Sequence, residues 1–541
     1  MGVSHSNNWQ SVYSYSMPSG ISSAPRKLKL GIDLGTTNSC AFFSKGGAVE
    51  CLDMENGKNL LPSFVEFKSG KEPSVGYAAK RRIGAKKASV VFNAKRLIGR
   101  SFSSDEVQQN LNICGCPVKN RNGSPAFYLE STDSYVTPID VATEILKKII
   151  NQAEARSDCK VSDLCITIPA NFNENQRSAT LRAALNCNID EGNIKILNEP
   201  TAAALCYGFE NEAKDEYILV YDLGGGTFDV SILRVTNGQY SVKMYEGNNN
   251  LGGADFDRLI LDWITKRYRE VNHCDLIPDT LPEPVKIKYR RRLLQIAEEA
   301  KIALSVTAKT EIAVSNIVNL STDGDEGGYD FELDRQTMNK LLESEIDRTL
   351  DTVRSALSKA HLTKRDIDHV VLVGGSSRLL LVQEKITSFF GKSKMTQATN
   401  CDECVAKGAC LSLVNRYQVD EIIAYSLGQL LIGNRIQCII PVNSKLPTKE
   451  SVFNYTTADN QDSVTTAVFQ GKQERNGDEV DASQATQLMP FTYRGFRRLP
   501  AGEVEFKTTF EIQQSGIVYV TVVETATGRV LLRSEKMEWN V

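Results

Sequence analysis

Two stretches of this 541-residue chain follow one plan, and they constrain everything else. In the first, Leu30-Gly31-Ile32-Asp33-Leu34-Gly35-Thr36-Thr37 leads into Ser39-Cys40-Ala41-Phe42-Phe43. In the second, Tyr217-Ile218-Leu219-Val220 runs through Tyr221-Asp222-Leu223-Gly224-Gly225-Gly226-Thr227-Phe228-Asp229 into Val230-Ser231-Ile232-Leu233. Each reads as an apolar strand, a turn carrying Asp, Gly and Thr, and a second apolar strand. Consecutive glycines leave no Cβ in the way, so an anionic group can approach the backbone N–H groups closely. Two copies suggest a duplicated half-domain. Facing turns would cradle a polyphosphate, with Asp33 and Asp222 placed to hold a hydrated Mg²⁺. No Gly-Lys-Ser/Thr follows, so neither turn is a Walker loop. A plain glycine hairpin is the alternative, but it needs no paired Asp and Thr.

Composition sets the outer bounds. Net charge is −3 with mixed signs, which argues against broad nucleic-acid or anionic-membrane binding. Thirteen scattered cysteines, an odd number, do not read as a secreted disulfide framework and indicate a reducing compartment. No stretch is long and apolar enough for a transmembrane segment. Residues 1–25 are polar, lack the apolar core of a secretory signal, and are expected to be a disordered extension. Met1-Gly2-Val3-Ser4-His5-Ser6 fits the N-myristoylation pattern, though a lone acyl chain gives only weak membrane contact. A cytoplasmic location is expected.

Along the chain, strands alternate with helices. Pro138 onward through Ala155 has helical spacing, Leu164–Ile168 is a buried strand stopped by Pro169, and Asn175-Gln176-Arg177 opens another helix. Ile194–Leu197 reads as a strand ending where Glu199 can present a carboxylate. Leu251–Asp257 starts a helix, Arg290–Ser305 is a long amphipathic one, and Val370–Val373 is a strand before the turn Gly374-Gly375-Ser376-Ser377-Arg378. Asp402–Leu413 closes an α/β region with largely covered sheets. After Arg416 the texture changes to alternating segments such as Val464–Gln470 and Gly516–Val523, which read as a small antiparallel β-domain.

These stretches together closely resemble the 70-kDa heat-shock protein chaperones, from about Lys27 to about Arg533. Besides the two turns, the likeness rests on Asn93-Ala94-Lys95-Arg96-Leu97-Ile98-Gly99-Arg100, Asn198-Glu199-Pro200-Thr201-Ala202-Ala203-Ala204, Val373-Gly374-Gly375-Ser376-Ser377-Arg378 and Thr457-Ala458-Asp459-Asn460-Gln461. The resemblance implies an actin-like, duplicated ribonuclease H-like ATPase domain over 26–416, a linker over 417–424 and a β-sandwich over 425–541. It implies catalytic roles for Asp33, Lys95, Glu199, Asp222, Thr227 and Asp229. Asp33 and Asp222 would hold Mg²⁺ through waters. Nucleotide contacts would come from Gly35, Thr36, Thr37, Asn38, Gly224, Gly225, Gly226, Glu298, Lys301, Ser305, Gly374, Gly375, Ser376, Arg378 and Asp402. Peptide would be bound by Ile432, Phe453, Thr457 and Val464, and Pro169 and Arg177 would relay between sites. ATP or ADP, Mg²⁺ and K⁺ are the implied cofactors. Extended apolar polypeptides, J-domain co-chaperones and nucleotide exchange factors are the implied partners.

The chain also departs from the pattern. Ile302 stands where many members place an adenine-stacking arginine, and Ala254 replaces an acidic residue. The linker Gln418-Val419-Asp420-Glu421-Ile422-Ile423 is shorter and less apolar than the usual leucine run, which puts coupling in doubt. On the simplest alignment Gln429 and Thr466 replace aliphatic pocket residues, although a one-residue slip would reverse strand facing. A helical lid is not expected, so peptides should bind weakly and leave fast. Cys114-Gly115-Cys116 and Cys401-Asp402-Glu403-Cys404 are read as plain small residues, since a zinc site needs four ligands and no histidine lies near. Two other readings compete: a regulatory or nucleotide-exchange-type partner of a full-length chaperone, and an actin-like sugar or glycerol kinase.

Overall fold

A computed structural model describes residues 27–533, apart from residues 56, 84, 86–87, 112, 212–214, 249–250, 315–329, 397–399, 416 and 432. The amino-terminal extension with its acylation pattern, and Ile432, lie outside the described residues.

The two Asp-Gly-Thr turns sit at matching places in two matching sheets. In the first, Leu28–Asp33 pairs antiparallel with Asn38–Lys45, which pairs with Ala48–Cys51. Val161–Ile168 then lies parallel to Leu28–Asp33, with Ile194–Asn198 beyond it. In the second, Glu216–Leu223, Phe228–Thr236 and Gln239–Asn248 form the same antiparallel meander, and His369–Val373 lies parallel to its first strand. The duplicated half-domain read from sequence is therefore present as two sheets that share a four-strand core of one order. The central strands are buried along most of their length, as sheets covered on both faces must be.

Helices Glu199–Asn211 and Cys404–Val414 pack against each other and against the sheets. A Cβ on Gly408 would fall 1.8 Å from Ala202 O, so only glycine permits that approach. The core of small residues between the sheets, Ala202, Ala203, Ala204 and Ala409 with Val220 and Val371, follows from this closeness. Helix starts are set locally. Pro138–Ser157 has a Thr137/Asp140 capping box, and Glu174–Leu185 has one made by Asn173 and Gln176.

After Val414 the chain forms a sandwich of two antiparallel sheets around Phe506, Phe510, Tyr493 and Val522. The connecting segment is bonded in. Gln418–Asp420 adds a parallel edge strand beside Gln239–Ser241. That pairing uses backbone groups, so it survives the loss of the leucine run that had put coupling in doubt. The sandwich rests on helix Glu174–Leu185. Ile517 is buried in the first lobe's core, Gln470 Oε1 accepts from Glu174 N at 3.2 Å, and Gln514 Nε2 donates to Val419 O at 3.0 Å.

Candidate active site

Both turns open onto one cleft of about 360 Å³ between the sheets. One wall carries Asp33, Gly35, Thr36, Thr37, Asn38 and Lys95, and the floor carries Glu199, Asp222, Gly224, Gly225 and Thr227. The far wall carries Glu298, Lys301 and Ser305 from the helix Glu283–Leu304, with Gly374, Gly375, Ser376, Arg378 and Asp402 opposite. Residues read from seven separate stretches thus meet in one place. Gly226 and Asp229 stand just behind this lining.

At the centre, Lys95 Nζ donates to Glu199 Oε1 at 2.7 Å, with both side chains about nine-tenths buried. Around this pair lie Asp33, Asp222 and Asp229. Both carboxylate oxygens of Asp229 are buried and lack a well-formed hydrogen bond among the described residues, the Thr227 hydroxyl offering only a partial one. Burial, followed by the charge of Glu199, pushes the Asp33 carboxyl up to about 7. The same causes push Asp222 and Asp229 well above the carboxylate range, partly offset by Lys95. Four carboxyl groups against one ammonium leave the site short of positive charge. Hard oxygen donors with unused lone pairs suit Mg²⁺ and its water shell, and a dication reverses the upward pull.

The end of the cleft between Lys301 and Arg378 is held by ion pairs. Lys301 Nζ meets Asp257 Oδ1 at 2.7 Å, and Arg378 Nη2 meets Asp402 Oδ2 at 2.5 Å. Lys80 on the first lobe reaches Glu298 on the second at 3.2 Å, closing the cleft from above. Ile302 lies on the rim, 58% exposed. Sequence reading missed Asp257, seen only as a first-turn acid, and Arg96. Arg96 is buried, donates from Nη2 to Gly225 O at 3.1 Å, and lies 3.5 Å from Asp255. Its place beside Lys95 was the available signal.

A family model, Hsp70 protein, matches residues 29–536. The chain belongs to the Hsp70 family. It is 36% identical to a ribosome-associated molecular chaperone of Eremothecium gossypii over 518 residues, covering 92% of this chain and 80% of that protein. It is 34% identical to the chaperone protein dnaK of Cyanidioschyzon merolae over 507 residues, covering 92% of this chain and 80% of that protein. It is 36% identical to the mitochondrial heat shock 70 kDa protein of Pisum sativum, covering 92% of this chain and 72% of that protein. As an Hsp70 it is an ATP-dependent chaperone, and its actin-like ATPase domain followed by a β-sandwich is the architecture described above. That membership favours the chaperone reading over the regulatory partner. The Hsp70 family binds nucleotide, with Mg²⁺ as the usual companion.

The expected peptide contacts are less unified. Val464 is half-buried against the sandwich core, Thr457 is exposed after Thr448–Tyr455, and Phe453 is 54% exposed on that strand. Strand alternation turns Asn454 the other way, inward. There Asn454 Nδ2 donates to Gln429 Oε1 at 3.1 Å and to Thr508 Oγ1 at 3.2 Å, so Gln429 is 6% exposed and hydrogen-bonded to the opposite sheet. Cys114 and Cys116 are packing residues: burial pushes both thiols up to about 12, and their Sγ atoms donate to Asn110 O and Val90 O.

Among the described residues no helix is long and apolar enough to cross a membrane.

Proposed function

We propose that this chain hydrolyses ATP in the cleft between its two sheets and uses the cycle to control polypeptide binding by the β-sandwich. The single observation that carries the reading is the buried Lys95–Glu199 pair set among the carboxyl groups of Asp33, Asp222 and Asp229, which burial and mutual charge drive above the carboxylate range, at two phosphate-type turns. Backbone N–H groups of Gly35, Gly224, Gly225 and Gly226, with the Thr36 and Thr37 hydroxyls, would hold the phosphates. Glu298, Lys301, Ser305, Gly374, Gly375, Ser376, Arg378 and Asp402 would hold the nucleoside. Glu199, Thr227 and Asp229 would orient the attacking water, and Lys95 would stabilise charge on the transferring phosphoryl group. Asp33 and Asp222 would hold Mg²⁺ through waters, and K⁺ is a further proposed ion. When bound, the dication neutralises charge shared by the outer phosphates.

The proposed division is 26–416 for nucleotide, 417–424 for the linker and 425–541 for polypeptide. The relay runs through Arg177, which donates to Ala170 O and Phe172 O near Pro169 and to Asn198 Oδ1 at 2.9 Å. Asn198 Nδ2 in turn donates to Glu421 Oε2 at 3.0 Å, immediately after the linker strand. Extended polypeptides, J-domain co-chaperones and exchange factors are the proposed partners, as for the family. A cytoplasmic location is proposed from the likeness to ribosome-associated chaperones, with a mitochondrial relative at similar identity as the competing address.

The test is the affinity of a fluorescent apolar heptapeptide, measured with ATP and with ADP. Weaker binding with ATP supports a coupled chaperone. Equal binding in both states removes the coupling, and no binding beside normal ATP turnover removes the peptide reading.

A further inference from the structure

Behind the catalytic lysine lies a second, smaller cavity of about 10 Å³, room for a single water. Thr36, Lys95 and Thr227 line both this chamber and the nucleotide cleft, so they form the partition between them. The rest of the chamber joins two cations and two amides, Arg96, Arg100, Asn110 and Gln176, to an apolar side made by Pro169 and Phe172 and to the carboxylate of Glu106.

Two features mark it as more than a packing gap. First, the Nε atoms of Arg96 and Arg100 are both buried, and among the described residues neither finds an acceptor. The side chains are only 4% and 11% exposed. Arg96 spends its other nitrogens on Asn110 Oδ1 at 3.0 Å and Gly225 O at 3.1 Å, so its guanidinium is fixed in place. Buried guanidinium donors without acceptors are costly, and they are donors of the kind that tetrahedral oxyanions satisfy. Second, the outer side is closed by an ion pair rather than by core. Arg100 Nη1 meets Glu106 Oε1 at 3.2 Å, and the Glu106 side chain is 36% exposed. Only the Glu106 end reaches solvent, so this pair is the part of the wall held least by packing.

We propose that this chamber is the exit route for inorganic phosphate. The inference rests on ATP hydrolysis in the adjoining cleft. After cleavage, the phosphate would pass between Lys95 and Thr227, be received by Arg96 and Arg100, and leave when Arg100 and Glu106 part. ADP stays in the cleft, which it blocks on the front side. Because a phosphate ion is larger than the closed chamber, the parting of Arg100 and Glu106 sets its rate of loss.

The experiment loads the full chain with Mg²⁺, ADP and radiolabelled inorganic phosphate, then follows loss of phosphate and of ADP separately. Glu106→Gln keeps the side-chain size and removes the ion pair. It is expected to release phosphate about fivefold faster with ADP loss unchanged. Arg100→Gln removes the outer cation and is expected to weaken phosphate retention about tenfold, again with ADP loss unchanged. Melting curves confirm that both variants fold. Phosphate loss that is unchanged in both variants, or that follows ADP loss in both, overturns the route. So does a parent protein that retains no phosphate beside ADP. A parent that retains phosphate but never cleaves ATP refutes the hydrolysis reading instead, and the exit route with it.

Discussion

Asp229 in the cleft and Glu421 at the domain junction are buried to a similar degree, 3% and 5% exposed, yet they are treated in opposite ways. Both oxygens of Asp229 lack a well-formed hydrogen bond among the described residues, with only a partial one from Thr227. Both oxygens of Glu421 are bonded: Thr201 Oγ1 donates to Oε1 at 2.6 Å, while Asn198 Nδ2 and Tyr245 OH donate to Oε2 at 3.0 and 2.5 Å. A buried, unsatisfied carboxylate is a cost that folding alone does not repay, and such costs gather where a ligand supplies the missing partner. A fully bonded one is a fastener. The contrast separates the part of the molecule built for chemistry from the part built to hold two domains together.

The sharpest way to break this comparison is to replace each carboxylate and compare signs. Asp229→Asn is expected to lower ATP turnover by about 100-fold or more. The same change should raise the stability of the nucleotide-free protein at pH above neutral by about 1–2 kcal/mol, since it removes a carboxyl group whose ionisation burial and Glu199 oppose. Glu421→Ala should do the reverse. It strands the donors of Thr201, Asn198 and Tyr245, at a cost of about 3 kcal/mol, and it should abolish the effect of nucleotide on peptide affinity while leaving basal turnover nearly intact. Melting curves and single-turnover assays on the two variants read all four quantities. Equal destabilisation by both would remove the distinction.

Glu174 sharpens it further, because it sits at the junction but resembles the cleft. Its Oε2 is buried and unpartnered among the described residues, and burial pushes its carboxyl up to about 8. Ser178 and Arg177 on its own helix and the Val518 backbone across the junction offset this, and Tyr519 and Gln470 lie on the same side. A carboxyl raised in the folded state contributes stability that is complete below its unfolded value and lost as pH rises through the folded one. Docking should therefore weaken progressively as pH rises from about 5 to about 8 and level off above that, read as faster hydrogen exchange in the segment around Ile517. Glu174→Gln should flatten that profile. A profile that is flat in the parent, or equally steep in the variant, counts against the assignment.

The smallest expected effect lies at the cleft rim. Ile302→Arg should tighten ADP binding by about 0.5–2 kcal/mol by restoring a cation over the base, measured by titration calorimetry. Its turnover and melting behaviour should hardly change, because the residue is exposed.

Much of the cleft was legible in the sequence because its parts are local. An apolar strand, an Asp and a glycine turn are contiguous, so Asp33, Asp222 and the glycines that line the cleft follow from spacing. Lys95 and Glu199 were placed by resemblance and sit 2.7 Å apart in the fold. Helix ends were less legible: the helix read from Arg290 begins at Glu283, and the one read from Asp402 begins at Cys404. Facing in the sandwich was the weakest point. Period-two alternation makes a single register step decide whether Phe453 or Asn454 turns inward, and the hydrogen bond to Gln429 settles it for Asn454.

Taken alone, the sequence determined the duplicated α/β plan, the two phosphate-type turns, and the change to an antiparallel β-domain after Arg416, since each depends on neighbours in the chain. The tertiary structure alone decided the rest. It gave Glu421 its partners from two other segments, left Asp229 with no more than a partial bond from Thr227, turned Gln429 toward the opposite sheet, and enclosed two arginine Nε atoms in a chamber beside Lys95. The physical reason is that burial and hydrogen-bond satisfaction are properties of what surrounds a group in space, and those surroundings come from residues far away in sequence.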